Sequence, residues 1–542
     1  MTESVFTKIK RGFDRITADL RIVRLSTDIA SRVPPSGQRP VVFFNASTRI
    51  LGLSQNAAFS MLTSFALRLE GVPAVHFVCQ RGMSRCVLGT DQDDPSAPLP
   101  CDTCVRQSLV VYNKADARFF SYEQDDDLAG ALAGMSLAEL ITYEHPIPTW
   151  GLPSSNLPLG SLVLPGTRWR LRLHNLQDDE ATRTLYREFM LSAWNVAREF
   201  ISLLDQTDPQ AAVIFNGQFF PEATARWLCQ QRGIPSYTHE VGFQPLTAFF
   251  TPGEATASPI NLPEDFELSA EQNARLDEYL ENRFQGNFSM AGIRFWPEMK
   301  GLDEAFLQKL AGFEQLVPVF TNVIFDTSQP HSNVVFSDMF AWLDTVLDLI
   351  KSHPETLFVI RAHPDEKRPN SRKQARETVE GWARANGVDK LSNVVFYDSG
   401  EYVSSYELIQ RARFVMVYNS SIGLEASIMG AAVLCGGKAR YTQYPTVFFP
   451  QTVSDFRAQA EAFLTAGRIE VPATHRLEAR RFLYYQLFRT SLPFDRFIVP
   501  FYRPGMVKLK KFGWHELRAE NSPAIKAVLD GLLRGGEFLL ED

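Results

Sequence analysis

The chain has 542 residues, 45% of them hydrophobic and 22% charged, with a net charge of −7. That length exceeds what one hydrophobic core organises, so two domains of roughly 200–250 residues are expected. The acidic balance excludes a dedicated nucleic-acid binder, which needs a basic field to displace counterions.

In the first segment, Lys8, Lys10, Arg11, Arg15, Arg21 and Arg24 alternate with Phe6, Ile9, Phe13, Ile16, Leu20, Ile22 and Val23, ahead of Pro34-Pro35. Two readings suit residues 1–35. One is a basic amphipathic helix resting on anionic lipid, the other a helix packed on the domain with a solvated charged face. The apolar positions do not fall on one stripe, which favours the packed helix. From Pro40 an α/β rhythm begins. Val41–Phe44 reads as a buried strand released into Asn45-Ala46-Ser47-Thr48, Ala57–Leu69 as a helix, and Val75–Val78 as the next strand. Residues 91–100 read as a loop and 144–165 as a Pro/Gly-rich excursion, followed by a long helix from Asp178 to Leu204. Ala211–Phe215 is a strand ending in Asn216-Gly217-Gln218, Ala223–Arg232 a helix, and Ile234–Thr238 a strand leading to His239-Glu240-Val241-Gly242.

Residues 251–315 lack strong strands and hold the expected boundary. The rhythm then restarts with strands at Val317–Phe320, Leu357–Ile360, Val394–Phe396, Phe414–Val417 and Ala432–Cys435. Between them lie helices at Phe340–Ile350, Arg372–Asn386, Ser404–Arg411 and Gly423–Gly430. The expected fold is α/β and GT-B-like, two Rossmann-like domains facing a central cleft. The basic helix would cover 1–35, the first Rossmann-like domain 36–310 and the second 311–470. Helices in 471–542 would pack across the junction.

Two strand endings in the second domain carry the chemistry. In Leu357–Glu366 an apolar strand ends at Arg361-Ala362-His363-Pro364, and Pro364 holds His363 extended, aiming the imidazole out of the sheet edge. In Val415–Ala426 the strand ends at Asn419-Ser420-Ser421, with Gly423 allowing close backbone approach and Glu425 either in reach of ribose hydroxyls or, equally, a favourable helix-dipole residue. Ligands of open α/β sheets bind where strands release their carboxyl ends, so an imidazole and two hydroxyls there suit a phosphate. Arg361 either joins that site or pairs with Asp365 or Glu366. Single features prove little: His145-Pro146 and His353-Pro354 repeat the dipeptide, and Ser-Ser alone is routine N-cap chemistry. Glu240, at a strand end of the first domain, is the candidate base for an acceptor hydroxyl, against the alternative of a strand-end carboxylate paired with Arg or Lys. Asn45, Ser47, Thr48, Asn216 and Gln218 lie at strand ends of the same domain and suit a hydroxyl-rich acceptor.

With Phe320–Asp326 and Phe340–Leu343, these motifs resemble the bacterial capsular-polysaccharide biosynthesis transferases, and more broadly the Kdo-transferase and polysialyltransferase group. The resemblance is concentrated in residues 315–440. It implies that His363-Pro364 and Ser420-Ser421 bind the CMP part of a nucleotide-sugar donor and that Glu240 is the base. It further implies a nucleotide-sugar domain in the second half and an acceptor domain, for a glycan or glycolipid, in the first. CDP-glycerol-type glycerophosphotransferases share His-Pro and Ser-Ser elements and form the alternative, as does a non-catalytic sugar- or nucleotide-binding scaffold. No Gly-x-x-x-x-Gly-Lys-Ser/Thr loop or His-Glu-x-x-His pair occurs, Gly436-Gly437-Lys438 being only a near miss, and there is no convincing Asp-x-Asp metal clamp. Inverting catalysis without a cofactor is therefore expected. Cys79, Cys86, Cys101 and Cys104 have the ligand set of a closed structural zinc site, with four unconnected thiols as the equal alternative. The chain shows no bilayer-spanning apolar stretch or signal region, so a cytoplasmic location is expected, peripheral at the inner membrane face under the lipid reading of residues 1–35.

Overall fold

The computed structural model describes residues 5–45, 52–148, 150–286, 299–367 and 374–541; Ser47 and Thr48 lie outside them. Its first sheet has seven strands, in the order Leu492–Pro493, Thr247–Thr251, Ser236–Val241, Ala211–Phe215, Val41–Asn45, Ala74–Cys79 and Asp116–Phe120. All neighbours from Ser236–Val241 to Asp116–Phe120 pair in parallel, and Thr247–Thr251 runs antiparallel to both of its own. The central strand is apolar throughout because both of its faces are covered. Val41 and Phe43 enter one core with the helices Gln55–Leu69 and Pro523–Arg534. Val42 and Phe44 enter the other, beneath Leu159–Leu171, Glu180–Thr207 and Phe220–Gln231. Phe44 meets Phe77 at 5.4 Å and Phe200 at 5.2 Å between ring centroids. Deleting such a buried ring costs about 3–5 kcal/mol, so this cluster anchors the strand that ends at Asn45.

The second sheet has five parallel strands, in the order Val394–Tyr397, Thr356–Arg361, Gln315–Phe320, Val415–Val417 and Val433–Cys435. The chain builds outward on one side of Gln315–Phe320 and then on the other, so a topological switch lies at its carboxyl end. Phe320 is in register with both Arg361 and Val417. Asp338 caps the Met339–Ser352 helix by accepting from the N–H groups of Phe340 and Ala341, which seats Trp342 in the core. A Cβ on Gly436 would stand 2.5 Å from the Trp342 ring. That glycine is therefore required by packing, which is why Gly436-Gly437-Lys438 is no phosphate loop.

Several elements differ from expectation. The 144–165 excursion ends in a helix, Leu159–Leu171, that tolerates Pro165 inside it. Of the expected Arg372–Asn386 helix, Arg372 and Lys373 lie outside the described residues, and the rest is helical only over Val379–Ala385. The Cys101-x-x-Cys104 pair sits on the first turn of a helix, Cys101–Val111, and not in a turn. The closing segment holds more than helices: Ala473–Tyr484 does pack against Ile422–Ile428 of the second domain. Leu492–Pro493 then adds an edge to the first sheet, and Ile498–Phe501 and Arg503–Leu509 form a small sheet with Leu53–Ser54. The two-domain, cleft-forming GT-B-like arrangement stands. Among the described residues no helix is long and apolar enough to cross a membrane.

Candidate functional site

His363 follows the Thr356–Arg361 strand with φ −70° and ψ 135°, the extended backbone that Pro364 imposes. Its Nδ1 accepts the backbone N–H of Asp365 at 3.1 Å, capping the short 3-10 turn Pro364–Glu366. An Nδ1 that accepts places the proton of a neutral imidazole on Nε2, making that nitrogen the donor. The capping role and the ligand role thus use different nitrogens of one ring. Arg361 turns into the same recess, toward the Ser405 hydroxyl, and burial lowers its guanidinium to about 10. Glu366 turns away to accept from the N–H of Val379 at 2.9 Å, and burial pushes its carboxyl up to about 8. The expected Arg361–Glu366 pairing therefore gives way to a place for Arg361 in the pocket wall.

Ser420 and Ser421 line that recess, a cavity of about 110 Å³ with Thr321, Arg361, His363 and Tyr406 among its walls. Ser421 occupies the position before the Ile422–Ile428 helix, yet its hydroxyl makes no capping bond. Routine N-cap duty therefore does not explain it. Gly423 lines neither the recess nor the cleft. A Cβ there would meet the Tyr441 hydroxyl at 2.6 Å and Val417 at 2.9 Å, so this glycine serves packing and not ligand approach.

Glu425 is 3% exposed and already engaged: Arg283 forms an ion pair with it at 2.7 Å and the Tyr406 hydroxyl donates at 2.6 Å. It lines the recess, but its carboxylate is held by protein groups and not left for a ribose. The Glu425 charge, with the tyrosines beside it, holds Arg283 well above the usual guanidinium range despite burial. The pair pins the helix Ala270–Phe284, which precedes the second sheet, onto the Ile422–Ile428 helix.

Glu240 lies at the end of Ser236–Val241, a strand longer than the sequence indicates. Its Oε1 accepts from Asn56 Nδ2 at 2.6 Å and from the Val241 N–H at 2.9 Å; its Oε2 accepts from Asn216 Nδ2 at 3.1 Å. A carboxylate offers about four lone-pair sites, so three donors fix its orientation and leave one on Oε2. The alternative of an Arg or Lys partner gives way to two amides. Asn216 reaches this position with φ +57°, a left-handed backbone that Asn tolerates better than most residues. Neighbouring His239 points the opposite way along the strand, stacks between Phe215 and Phe250, and is pushed by burial down to about 3. It is a core histidine.

Glu240, His363, Ser420 and Ser421 line one cleft of about 990 Å³, together with Asn322, His331 and Lys438. Its floor is closed by Arg440 of the second domain, whose guanidinium lies 4.8 Å from the ring centre of Phe249 and donates to Ala255 of the first. At a second interdomain junction Glu377 accepts from the backbone of His174 and Asn175 at 2.6 and 3.0 Å. Asn45 bonds Ser60 and His76, Gln218 bonds Glu254, and neither lines the cleft. Asn56, Arg283, Ser405, Tyr406 and Lys438 were invisible as site residues in the sequence. Only Asn56 left a signal, two positions after the Ser54 helix cap.

The four clustered cysteines are free thiols near one another. Burial raises all four, Cys86 to about 11 and Cys104 to about 12, and neighbouring thiols push the same way in Cys79, Cys86 and Cys104. Cys79 and Cys86 each accept a backbone N–H, from Gly82 at 3.2 Å and from Gly89 at 3.1 Å. Among the described residues no group of three or more His, Cys, Asp or Glu is arranged to hold a metal ion.

Replacing Arg283 by Met leaves Glu425 buried without its counter-charge. The expected result is a loss of about 3–5 kcal/mol in urea unfolding, with much of it recovered in the Arg283→Met, Glu425→Gln double variant. An unchanged midpoint in the single variant would remove the pair from the account of this pocket.

No family model matches the chain. A segment of 104 residues is 33% identical to Protein FixF of Sinorhizobium fredii (strain NBRC 101917 / NGR234), covering 19% of this chain. The chain thus spans only 22% of that relative's length. Among solved structures it is similar to Thermosulfurimonas dismutans KpsC, beta Kdo 2,4 transferase, at 13% identity and TM-score 0.33 over 52% of this chain and 80% of that one. A putative UDP-N-acetylglucosamine 2-epimerase from Listeria monocytogenes gives 12% identity and TM-score 0.26, over 82% of this chain and 95% of that one. Sucrose-phosphate synthase from Thermosynechococcus elongatus gives 11% and 0.29, over 83% and 95%. At these scores the overlays decide nothing, and the two-domain architecture stands on the chain's own strand orders.

Proposed function

We propose that the protein is a glycosyltransferase of surface (capsular) polysaccharide synthesis, moving a sugar from a CMP-activated donor to a hydroxyl of a glycan or glycolipid. The observation that carries this reading is the meeting of Glu240 from one domain with His363, Ser420 and Ser421 from the other in a single cleft. His363 Nε2–H and the two hydroxyls would donate to the donor phosphate, and Arg361 would add positive charge behind them. Hydrogen bonds aimed at oxygen that gains charge stabilise a departing phosphate more than the resting donor. Glu240, oriented by Asn56 and Asn216, would take the acceptor proton on the remaining Oε2 site. Attack from the face opposite the departing phosphate inverts the anomeric centre.

Calorimetry with CMP, CDP, UDP and GDP tests the donor side. CMP is expected to bind selectively, with about tenfold or greater weakening in His363→Ala and in Ser421→Ala, since each loses a hydrogen bond to a charged group. Selective CDP binding would favour glycerophosphate transfer, tight UDP or GDP binding would overturn the donor, and no nucleotide binding would favour the scaffold. Glu240→Gln keeps the shape of the cleft while removing the base. It is expected to leave nucleotide affinity intact and lower transfer by about 10²–10⁴-fold. Full activity in that variant would assign the base elsewhere.

A structural zinc on Cys79, Cys86, Cys101 and Cys104 is a second, separate proposal: the thiols neighbour one another and two accept backbone N–H groups, although their arrangement as it stands does not hold a metal ion. Such a metal would pin the Cys101–Val111 helix to the end of the Ala74–Cys79 strand and take no part in the reaction. Elemental analysis of the purified protein decides it. About one zinc per chain, lost in Cys101→Ser, is expected, because a closed thiolate site needs all its ligands; a metal-free, stable protein would mark these residues as ordinary buried thiols.

A further inference from the structure

The Val5–Ala30 helix carries two apolar faces. Ile22, Leu25 and Ile29 are buried in the first domain's core, the packing expected of a surface helix. At 3.6 residues per turn, Phe13, Ile16 and Leu20 fall together on the opposite side. They are 68%, 58% and 49% exposed. Beside them Tyr502, 48% exposed, lies under the Arg11 guanidinium and donates its hydroxyl to Asp14. Four of the ten large hydrophobic side chains exposed among the described residues therefore gather on one patch. Packing within the chain gives no reason for this second stripe.

The charge around the patch runs against that of the whole protein. Residues 10–24 hold five basic and two acidic residues, and 503–511 hold four basic and no acidic ones, in a chain of net charge −7. Lys10 and Arg24 flank the apolar stripe on the helix and are exposed, as are Arg503, Lys510 and Lys511 on the neighbouring strand and its end. Arg21 donates to the Leu509 carbonyl at 2.6 Å, tying helix and strand into one surface. An exposed aromatic and aliphatic stripe bordered by Lys and Arg is the chemistry of a helix lying in the plane of an anionic bilayer. A second copy of the chain would fit it less well, since the basic rims of two copies would face each other.

We infer that Phe13, Ile16 and Leu20, with Tyr502 and the basic residues around them, form a docking surface for an anionic lipid bilayer. The surface is linked to the cleft through the fold. Arg503–Leu509 pairs with Leu53–Ser54, Ser54 caps the Gln55–Leu69 helix, and Asn56 on its first turn holds Glu240. Docking would thus set the first domain's side of the cleft at a fixed distance from the membrane. The inference stands on the surface alone and does not depend on the reading of the cleft.

Flotation of the full chain with large unilamellar vesicles tests it. Vesicles of phosphatidylcholine with about 30% phosphatidylglycerol are expected to carry the protein, pure phosphatidylcholine vesicles far less, and added salt to release it. The triple variant Phe13→Ser, Ile16→Ser, Leu20→Ser and the double variant Lys510→Glu, Lys511→Glu are each expected to lower partitioning about tenfold or more. All five side chains are exposed, so thermal melts should be unchanged; the wild-type lipid and salt comparisons need no variant at all. Failure of the wild-type protein to float, equal binding to neutral vesicles, or indifference to both variants would overturn the inference. So would a concentration-dependent dimer in sedimentation that the triple variant abolishes.

Discussion

Parallel pairing is the constraint on which the site depends. Strands that run in one direction release their carboxyl ends along one edge, and the register of Phe320 with Arg361 and Val417 brings three such endings side by side. Thr321, His363 and Ser420 become neighbours through that register, although the strands carrying them are distant in sequence. The first sheet repeats the device: Asn216 and Glu240 lie just past and at the ends of adjacent parallel strands, in reach of the helix that begins at Gln55. Two sheets whose open edges face each other give a cleft lined from both sides.

The chemistry is divided between a rigid side and a hydrogen-bonded one. In the second domain a buried ion pair, Arg283–Glu425, and a set of buried tyrosines hold the recess behind His363 and Ser421. Removing one partner of such a pair is costly, which makes that wall hard to deform. In the first domain Glu240 is held by neutral amides, which orient a carboxylate without cancelling its charge. Under the proposed transfer reaction the contrast has a use: a pocket wall needs shape, and a proton acceptor needs an uncompensated lone pair.

What could be read from sequence was local. His363 after an apolar strand, Ser420-Ser421 after another, and Glu240 near a third are strand endings within ten residues of the pattern that reveals them. The two-domain α/β architecture followed from the same periodicity. Glu425 was misjudged because its partners, Arg283 and Tyr406, come from other elements, and no short-range signal announces a long-range ion pair. Gly423 was read for what glycine permits in backbone, whereas Tyr441 requires it for space. The Asp116–Phe120 strand was missed because an edge strand with exposed Asp116 and Arg118 lacks the apolar run of a buried one. Pro165 and Gly166 argued for a loop, and tertiary packing against Phe220 and Val87 overrode them.

The return of the chain to its first domain has a consequence for biosynthesis. The Leu492–Pro493 edge, the Arg503–Leu509 strand and the Pro523–Arg534 helix all complete a core begun at Val41. A nascent chain leaving the ribosome can close the five-stranded sheet while the earlier seven-stranded one still waits for its last pieces. During that interval Val41, Phe59 and Leu62 lack the cover that Phe494, Ile525 and Val528 later provide. Such exposed apolar surface is where aggregation starts and where chaperones bind. The second domain to be synthesised is the first that can finish folding, and emergence of the Pro523–Arg534 helix from the tunnel sets when the cleft can form.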